Sequence, residues 1–187
     1  MSRTIETSRL VLRPWENSDL HEIVSIYTDP LVARWLAPQF NATQETPSLR
    51  TMLAHWASEP QESANSAGHW AVQKRDSAEV VGGMSLRFEP AGGESLTIEW
   101  VLAPDSWGYG FATEAGDALI RWAMHEEDAL EVFALVPPDN ARAAATAQRI
   151  GMEWITELDE HNELDELSRG LYEVYRIRHI DLAYEEE

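Results

Sequence analysis

The chain has 187 residues, which suits one domain large enough to bury a core without disulfides or a metal staple. Its 14 Lys plus Arg stand against 33 Asp plus Glu, a formal charge of −19 that argues against a nucleic-acid partner and favours cationic or amine-bearing ones. With 44% hydrophobic residues and eight Trp, five Tyr and four Phe, the composition is too apolar for a disordered chain.

In chain order, Leu10, Val11 and Leu12 between Arg9 and Arg13 read as a short strand stopped by Pro14. Asn17 or Ser18 can cap a helix carrying Leu20, Ile23, Val24 and Tyr27, and Asp29-Pro30 separates it from a piece with Val32, Trp35 and Leu36. Thr46-Pro47 opens a helix whose apolar stripe is Leu49, Leu53 and Trp56, and the polar stretch from Pro60 to Gly68 reads as a loop. Strands are expected over His69 to Lys74 and Glu79 to Phe88, joined by a turn at Arg75-Asp76-Ser77. After Pro90 to Gly93, a strand from Ser95 to Leu102 ends before Pro104.

Trp107-Gly108-Tyr109-Gly110 then forms a glycine turn into a helix with Phe111, Ala115, Leu119 and Trp122 at helical spacing. Leu130 to Val136 is an apolar strand closed by Pro137-Pro138, and Asp139 or Asn140 can cap a helix that Gly151 ends. Met152 to Leu158 reads as a strand, Asp159 to Arg169 as an acidic loop and Leu171 to Ile180 as a last strand. Hairpins mixed with strand–helix–strand units indicate a mixed sheet in a single domain over 1–187.

The chain has no cysteine, which excludes disulfides, thiolate nucleophiles and Cys-type metal centres. The N-terminus lacks a secretory apolar run and no stretch approaches the roughly 18 apolar residues of a membrane span, so a soluble cytoplasmic protein is expected. His125-Glu126-Glu127 and the scattered His21, His55, His69, His161 and His179 show no metal-ligand spacing, so no metal is expected. The tryptophans are expected mostly in the core.

Gly108 and Gly110, between a strand and a helix, allow a close backbone approach and an anion at the helix N-terminus, but a glycine pair also serves a plain tight turn. The surrounding run is more specific. Thr97-Ile98-Glu99-Trp100-Val101-Leu102 through Trp107-Gly108-Tyr109-Gly110-Phe111-Ala112-Thr113-Glu114-Ala115 closely resembles the acetyl-CoA-binding segment of the GCN5-related N-acetyltransferases (GNAT). It looks most like the branch that includes the ribosomal-protein N-terminal acetyltransferases. Ser8-Arg9-Leu10-Val11-Leu12-Arg13-Pro14 is similar to that branch's opening strand, and Val136-Pro137-Pro138-Asp139-Asn140 through Arg149-Ile150-Gly151-Met152 to its second block.

The resemblance implies an α/β (α+β) fold with a mixed, mostly antiparallel central sheet flanked by helices and a splayed strand pair. It implies acetyl-CoA as co-substrate, pairing with the backbone of Trp100, Val101 and Leu102. Its diphosphate would lie on the amides of Trp107, Gly108, Tyr109, Gly110, Phe111 and Ala112, with Thr113 also in the cofactor site. Asn140 matches a family asparagine on the cofactor arm, although a helix cap explains it equally well. Trp35 and Trp56 are candidates for the acceptor cleft, which the family's first two helices cover.

Two departures from the family pattern stand out. Asp105 occupies a place where an Arg or Gln is frequent, so less side-chain help for the diphosphate is expected. Thr97-Ile98-Glu99-Trp100 replaces the branch's usual Glu-Ile-Gly-Trp; since Thr97 and Glu99 share a strand face, Glu99 can supply the carboxylate one step along and is the candidate base. Ala143 stands where the branch often carries Ser, and Tyr172 or Tyr175 could substitute as proton donor, a role left unassigned.

The expected reaction is direct attack of a primary amine on the thioester, the amine being a protein or peptide N-terminus or a small molecule, with a cationic acceptor expected from the charge. From Glu153 to Glu187 there are twelve acids and three arginines, so almost half the net charge sits in this part. No nucleic acid and no membrane is expected as partner, and a homodimer is left open. The alternative is a non-catalytic acyl-CoA-binding module.

Overall fold

The structure is a computed structural model and describes residues 4–36, 46–58, 67–89, 95–126, 129–160 and 170–183. An eight-stranded sheet runs through it in the order β1-β2-β3-β4-β5-β6-β8-β7. The strands are β1 Ile5–Glu6, β2 Leu10–Pro14, β3 Gly68–Lys74, β4 Val80–Glu89, β5 Ser95–Leu102, β6 Glu131–Val136, β7 Glu153–Glu160 and β8 Gly170–Arg178. All neighbours are antiparallel except β5 and β6. This is the mixed sheet that the alternation of hairpins and strand–helix–strand units called for, and it is mostly antiparallel as the resemblance implied.

The helices are α1 Leu20–Tyr27, α2 Pro30–Ala33, α3 Thr46–Ala57, α4 Phe111–Glu126, α5 Ala141–Ile150 and α6 His179–Ala183. They divide between the two sheet faces according to their apolar stripes. Ala115, Leu119, Ala123 and Met124 of α4 and Ala147 and Ile150 of α5 pack with Leu10, Leu12, Leu86, Ile98 and Val132 into the larger core. Ile23, Ile26 and Tyr27 of α1 and Leu49, Leu53 and Trp56 of α3 pack with Trp15 and Ala71 on the other face. Of the tryptophans, Trp15, Trp56 and Trp70 are buried, whereas Trp154 is 52% exposed on β7.

Three local expectations are corrected. Asn17 and Ser18 do not cap α1; they lie in a 3-10 turn, Asn17–Asp19, closed by the Asp19 carboxylate accepting from the Glu16 N–H at 2.8 Å. Arg13 donates twice to that carboxylate, at 2.8 Å each, which makes the buried acid tolerable. The last strand does not run to Ile180, because the Asp181 carboxylate accepts from the Arg178 N–H at 2.9 Å and turns the chain into α6.

Third, β7 extends to Glu160, two residues into the stretch read as an acidic loop; residues 161–169 of that loop lie outside the described residues, as do most of the 60–68 loop and the 90–93 punctuation. β1, which pairs Ile5 with Leu12, is an addition that two residues of sequence could not announce.

Candidate functional site

β5 and β6 run parallel, and among the described residues their register covers Leu96↔Val132 and Thr97↔Phe133 and goes no further. On its other side β5 stays paired with β4 out to Gly82↔Leu102. From Ile98 to Leu102, therefore, β5 turns a strand edge towards a gap that opens between it and β6. A strand edge offers backbone N–H and C=O groups in a row, which an extended ligand can meet as a further strand would.

The gap leads to the glycine turn. Pro104–Ser106 forms a 3-10 turn after β5, and Gly108 and Gly110 then take φ of +84° and +78°, a region closed to most L-residues. A Cβ on Gly108 would meet no atom within 4 Å, so Gly108 is glycine for its backbone angle and for open space above it. Immediately afterwards α4 begins at Phe111, and its first N–H groups have no partner within the helix. Trp107 closes the inner side: its indole Nε1–H donates to the Leu102 carbonyl at 2.9 Å, tying the turn to the end of β5.

A clasp fixes the turn from outside. The Glu114 carboxylate accepts from the Thr7 hydroxyl at 2.5 Å, the Ser8 hydroxyl at 3.0 Å, the Arg9 N–H at 2.9 Å and the Arg9 Nε at 2.7 Å. Burial pushes the Glu114 carboxyl up, but the hydrogen bonds from Thr7, Arg9 and Ser8 outweigh it and hold the group below its ordinary value. Arg9 also donates to the Tyr109 carbonyl at 2.9 Å and lies 4.8 Å from the Phe111 ring, on which the 62% exposed Tyr109 stacks.

Glu99 lies on the face of β5 opposite Trp100 and Ile98, with Thr97 and Val101. The register places Ser85 beside Glu99 and His69 beside Ser85, so three side chains form one row across β3, β4 and β5. The Ser85 hydroxyl donates to Glu99 at 3.3 Å, and Arg87 makes an ion pair with the other carboxylate oxygen. Over this row stands the aromatic wall of the second core: Trp56 stacks on His69 at 4.5 Å and packs against Tyr27 at 6.1 Å. Burial, then the Glu99 charge, push the Tyr27 phenol well up, so it stays protonated beside the carboxylate.

A family model described as an acetyltransferase (GNAT) domain matches residues 9–153. The chain belongs to the GNAT acetyltransferase family. The structure also resembles solved ones along nearly the whole chain. A GNAT-family acetyltransferase from Bacillus anthracis is 19% identical, with a TM-score of 0.77 covering 94% of this chain and 98% of that one. The ribosomal-protein-S5-alanine acetyltransferase from Vibrio fischeri is 15% identical, with a TM-score of 0.73 over 94% and 96%. The ribosomal L7/L12 alpha-N-protein acetyltransferase RimL, solved with coenzyme A, is 17% identical, with a TM-score of 0.75 over 94% and 98%. At these identities the likeness establishes the GNAT fold.

Within that GNAT frame, Trp100, Val101 and Leu102 lie on the splayed edge, and their side chains alternate between the two cores. Ala112 and Thr113 sit half-buried in the first turn of α4. Asn140 caps α5, its side-chain oxygen accepting from the Ala143 N–H at 3.2 Å. Trp56 is 7% exposed and belongs to the second core, with its stacked face on His69. Trp35 is half-buried, with the Arg34 guanidinium 4.5 Å from its ring.

Tyr175 is 3% exposed and donates to Glu173 at 2.9 Å; burial, then Glu173, push its phenol up to about 12. Among the described residues no group of three or more His, Asp or Glu is placed to hold a metal, and no helix is long and apolar enough to cross a membrane. Sequence reading passed over His69, Ser85 and Arg87. For Ser85 and Arg87 the signal was present, since alternation along β4 and its regular register with β5 put them on the Glu99 face; for His69 the irregularity at Val72/Gln73 hid it.

Proposed function

We propose that the chain is an acetyl-CoA-dependent N-acetyltransferase acting on a primary amine. The observation that carries this reading is the splay of β5 from β6 running into the Gly108–Gly110 turn at the start of α4. These residues suit the ligand: an edge of backbone polar groups for an extended amide-bearing arm, then a cradle of N–H groups with open space above Gly108 for a diphosphate. Such a cradle binds an anion without cationic side chains, which fits a chain of charge −19.

When bound, acetyl-CoA supplies an activated acetyl thioester, which the acceptor amine attacks directly with release of the thiol. Glu99 accepts the proton that the amine loses, directly or through a water, and the departing thiolate takes up a proton from solvent. Ser85 and Arg87 hold the carboxylate in place from β4, and Tyr27 and Trp56 shield it on the helix side. Trp56, His69 and Trp35 line the approach of the acceptor. Asn140, at the start of α5, contacts the arm in addition to capping the helix.

The acceptor we favour is a cationic protein or peptide N-terminus. Acidic charge concentrated in residues 153–187 steers cations towards the molecule, and two of the solved relatives described above act on ribosomal proteins. A panel of N-terminal peptides and polyamines incubated with acetyl-CoA tests this. Amine-dependent loss of acetyl-CoA supports it, and cleavage no faster than background with any amine refutes it.

A second reading, a non-catalytic acyl-CoA-binding module, draws support from Ala143, which offers no hydroxyl beside the splay, and from Tyr175, whose phenol is engaged by Glu173. Tight binding of acetyl-CoA with no turnover would favour it.

A further inference from the structure

The loop carries an acid, Asp105, and no cation between Leu102 and Phe111, but a cation reaches it from the other side of the splay. Arg142, in the first turn of α5, places its guanidinium carbon 4.5 Å from the centre of the Trp107 ring. That ring is itself fixed by its hydrogen bond to the Leu102 carbonyl, so Arg142 rests on a plate anchored at the mouth of the gap, next to Gly108. A guanidinium stacked on an aromatic face keeps its N–H donors directed outwards in its own plane and has lost much of its rotamer freedom before any ligand arrives.

The charge environment adds an independent observation. In a chain with 33 acids, Arg9, Arg13, Arg87, Arg121, Arg176 and Arg178 each sit against a carboxylate. Arg142 is exposed and has no carboxylate within 4.0 Å among the described residues. Arg34, Arg50 and Arg149 likewise show no carboxylate partner among the described residues, so what marks Arg142 is its seat on the Trp107 plate beside the glycine turn, which holds its fork open to an external anion.

We propose that Arg142 binds the diphosphate of the CoA co-substrate, supplying from α5 the charge that the loop lacks at Asp105. The assignment rests on the acetyl-CoA reading of the splay and adds to it a specific recognition residue. It makes the enzyme selective for nucleotide-bearing thioesters over pantetheine thioesters.

Calorimetric Kd values of wild type, Arg142→Gln and Arg142→Lys for CoA, 3′-dephospho-CoA and pantetheine test it, with the melting temperature of each variant as a control on folding. The expected result is that Arg142→Gln weakens CoA and 3′-dephospho-CoA by about tenfold and leaves pantetheine unchanged, with Arg142→Lys in between. Equal weakening of all three ligands, weakening of CoA alone, which would place the guanidinium on the 3′-phosphate, or no weakening at all would overturn it. So would a wild type that binds no CoA. A wild type that binds CoA but acetylates no amine would refute the transferase reading while leaving this comparison valid.

Discussion

Arg9 and Glu114 lie 105 residues apart in sequence and join the N-terminal segment to the first turn of α4, with two guanidinium nitrogens and the backbone N–H of Arg9 all on one carboxylate. The same arginine holds the Tyr109 carbonyl, so the glycine turn is tied down by the opening strand of the sheet.

Replacing Glu114 by Gln should therefore cost stability and loosen the loop together. Loss of charge-assisted hydrogen bonds predicts about 2 kcal/mol, a fall of about 4–8 °C in Tm, with a higher KM for acetyl-CoA. The carboxyl is held below its ordinary value in the folded chain, so its contribution is complete above that value and disappears as pH falls through the folded one. Acid unfolding of wild type and variant should converge at low pH. Parallel curves down to the lowest pH would show that the charge of Glu114 contributes nothing.

Glu99→Gln removes the proposed base while keeping the shape of the side chain. Turnover should drop about a hundredfold, with CoA affinity unchanged. Retention of full turnover would remove Glu99 from the chemistry.

Arg87→Gln tests whether Glu99 needs its neighbour. The carboxylate keeps Ser85 but loses its ion pair, so kcat should fall about tenfold while KM for acetyl-CoA stays put. A change in KM alone would assign Arg87 to ligand binding instead.

At Gly108 an added Cβ meets nothing, so an alanine there carries backbone strain and no clash. A φ of +84° predicts a loss of about 1–2 kcal/mol for Gly108→Ala, with weaker CoA binding; Asn, which tolerates this region better, should recover part of both. Calorimetry and thermal melts on the two variants separate strain from any effect of side-chain size.

Tyr175→Phe examines the proton donor left unassigned by the sequence. The phenol is buried and committed to Glu173, so turnover should survive its removal. Its value, raised to about 12, means that it stabilises the fold fully below pH 10 and loses that contribution as pH rises through about 12. The variant should lack this alkaline component. Loss of turnover would make Tyr175 the acid after all.

The sheet and its order of elements were legible because strand alternation, helical stripes and punctuating Pro and Gly agree along most of the chain, as at Leu10–Leu12 and at Gly151. The glycine turn was legible because few residues accept its angles. Partnerships distant in sequence were not: nothing local in Glu114 announces Thr7 and Arg9, and nothing in Arg142 announces Trp107. The row His69–Ser85–Glu99 exists only once two hairpin registers are fixed, and the β3–β4 one carries an irregularity at Val72/Gln73 that a pattern of period two does not contain.

The acetyl-transfer claim is tested most directly by the release of free CoA thiol in the presence of amines, a clean readout because the chain has no cysteine. Acetyl-CoA with wild-type protein should give thiol at a rate that rises with amine concentration and is largest for cationic N-terminal peptides. Tight binding of acetyl-CoA with thiol release indifferent to every amine offered would contradict it.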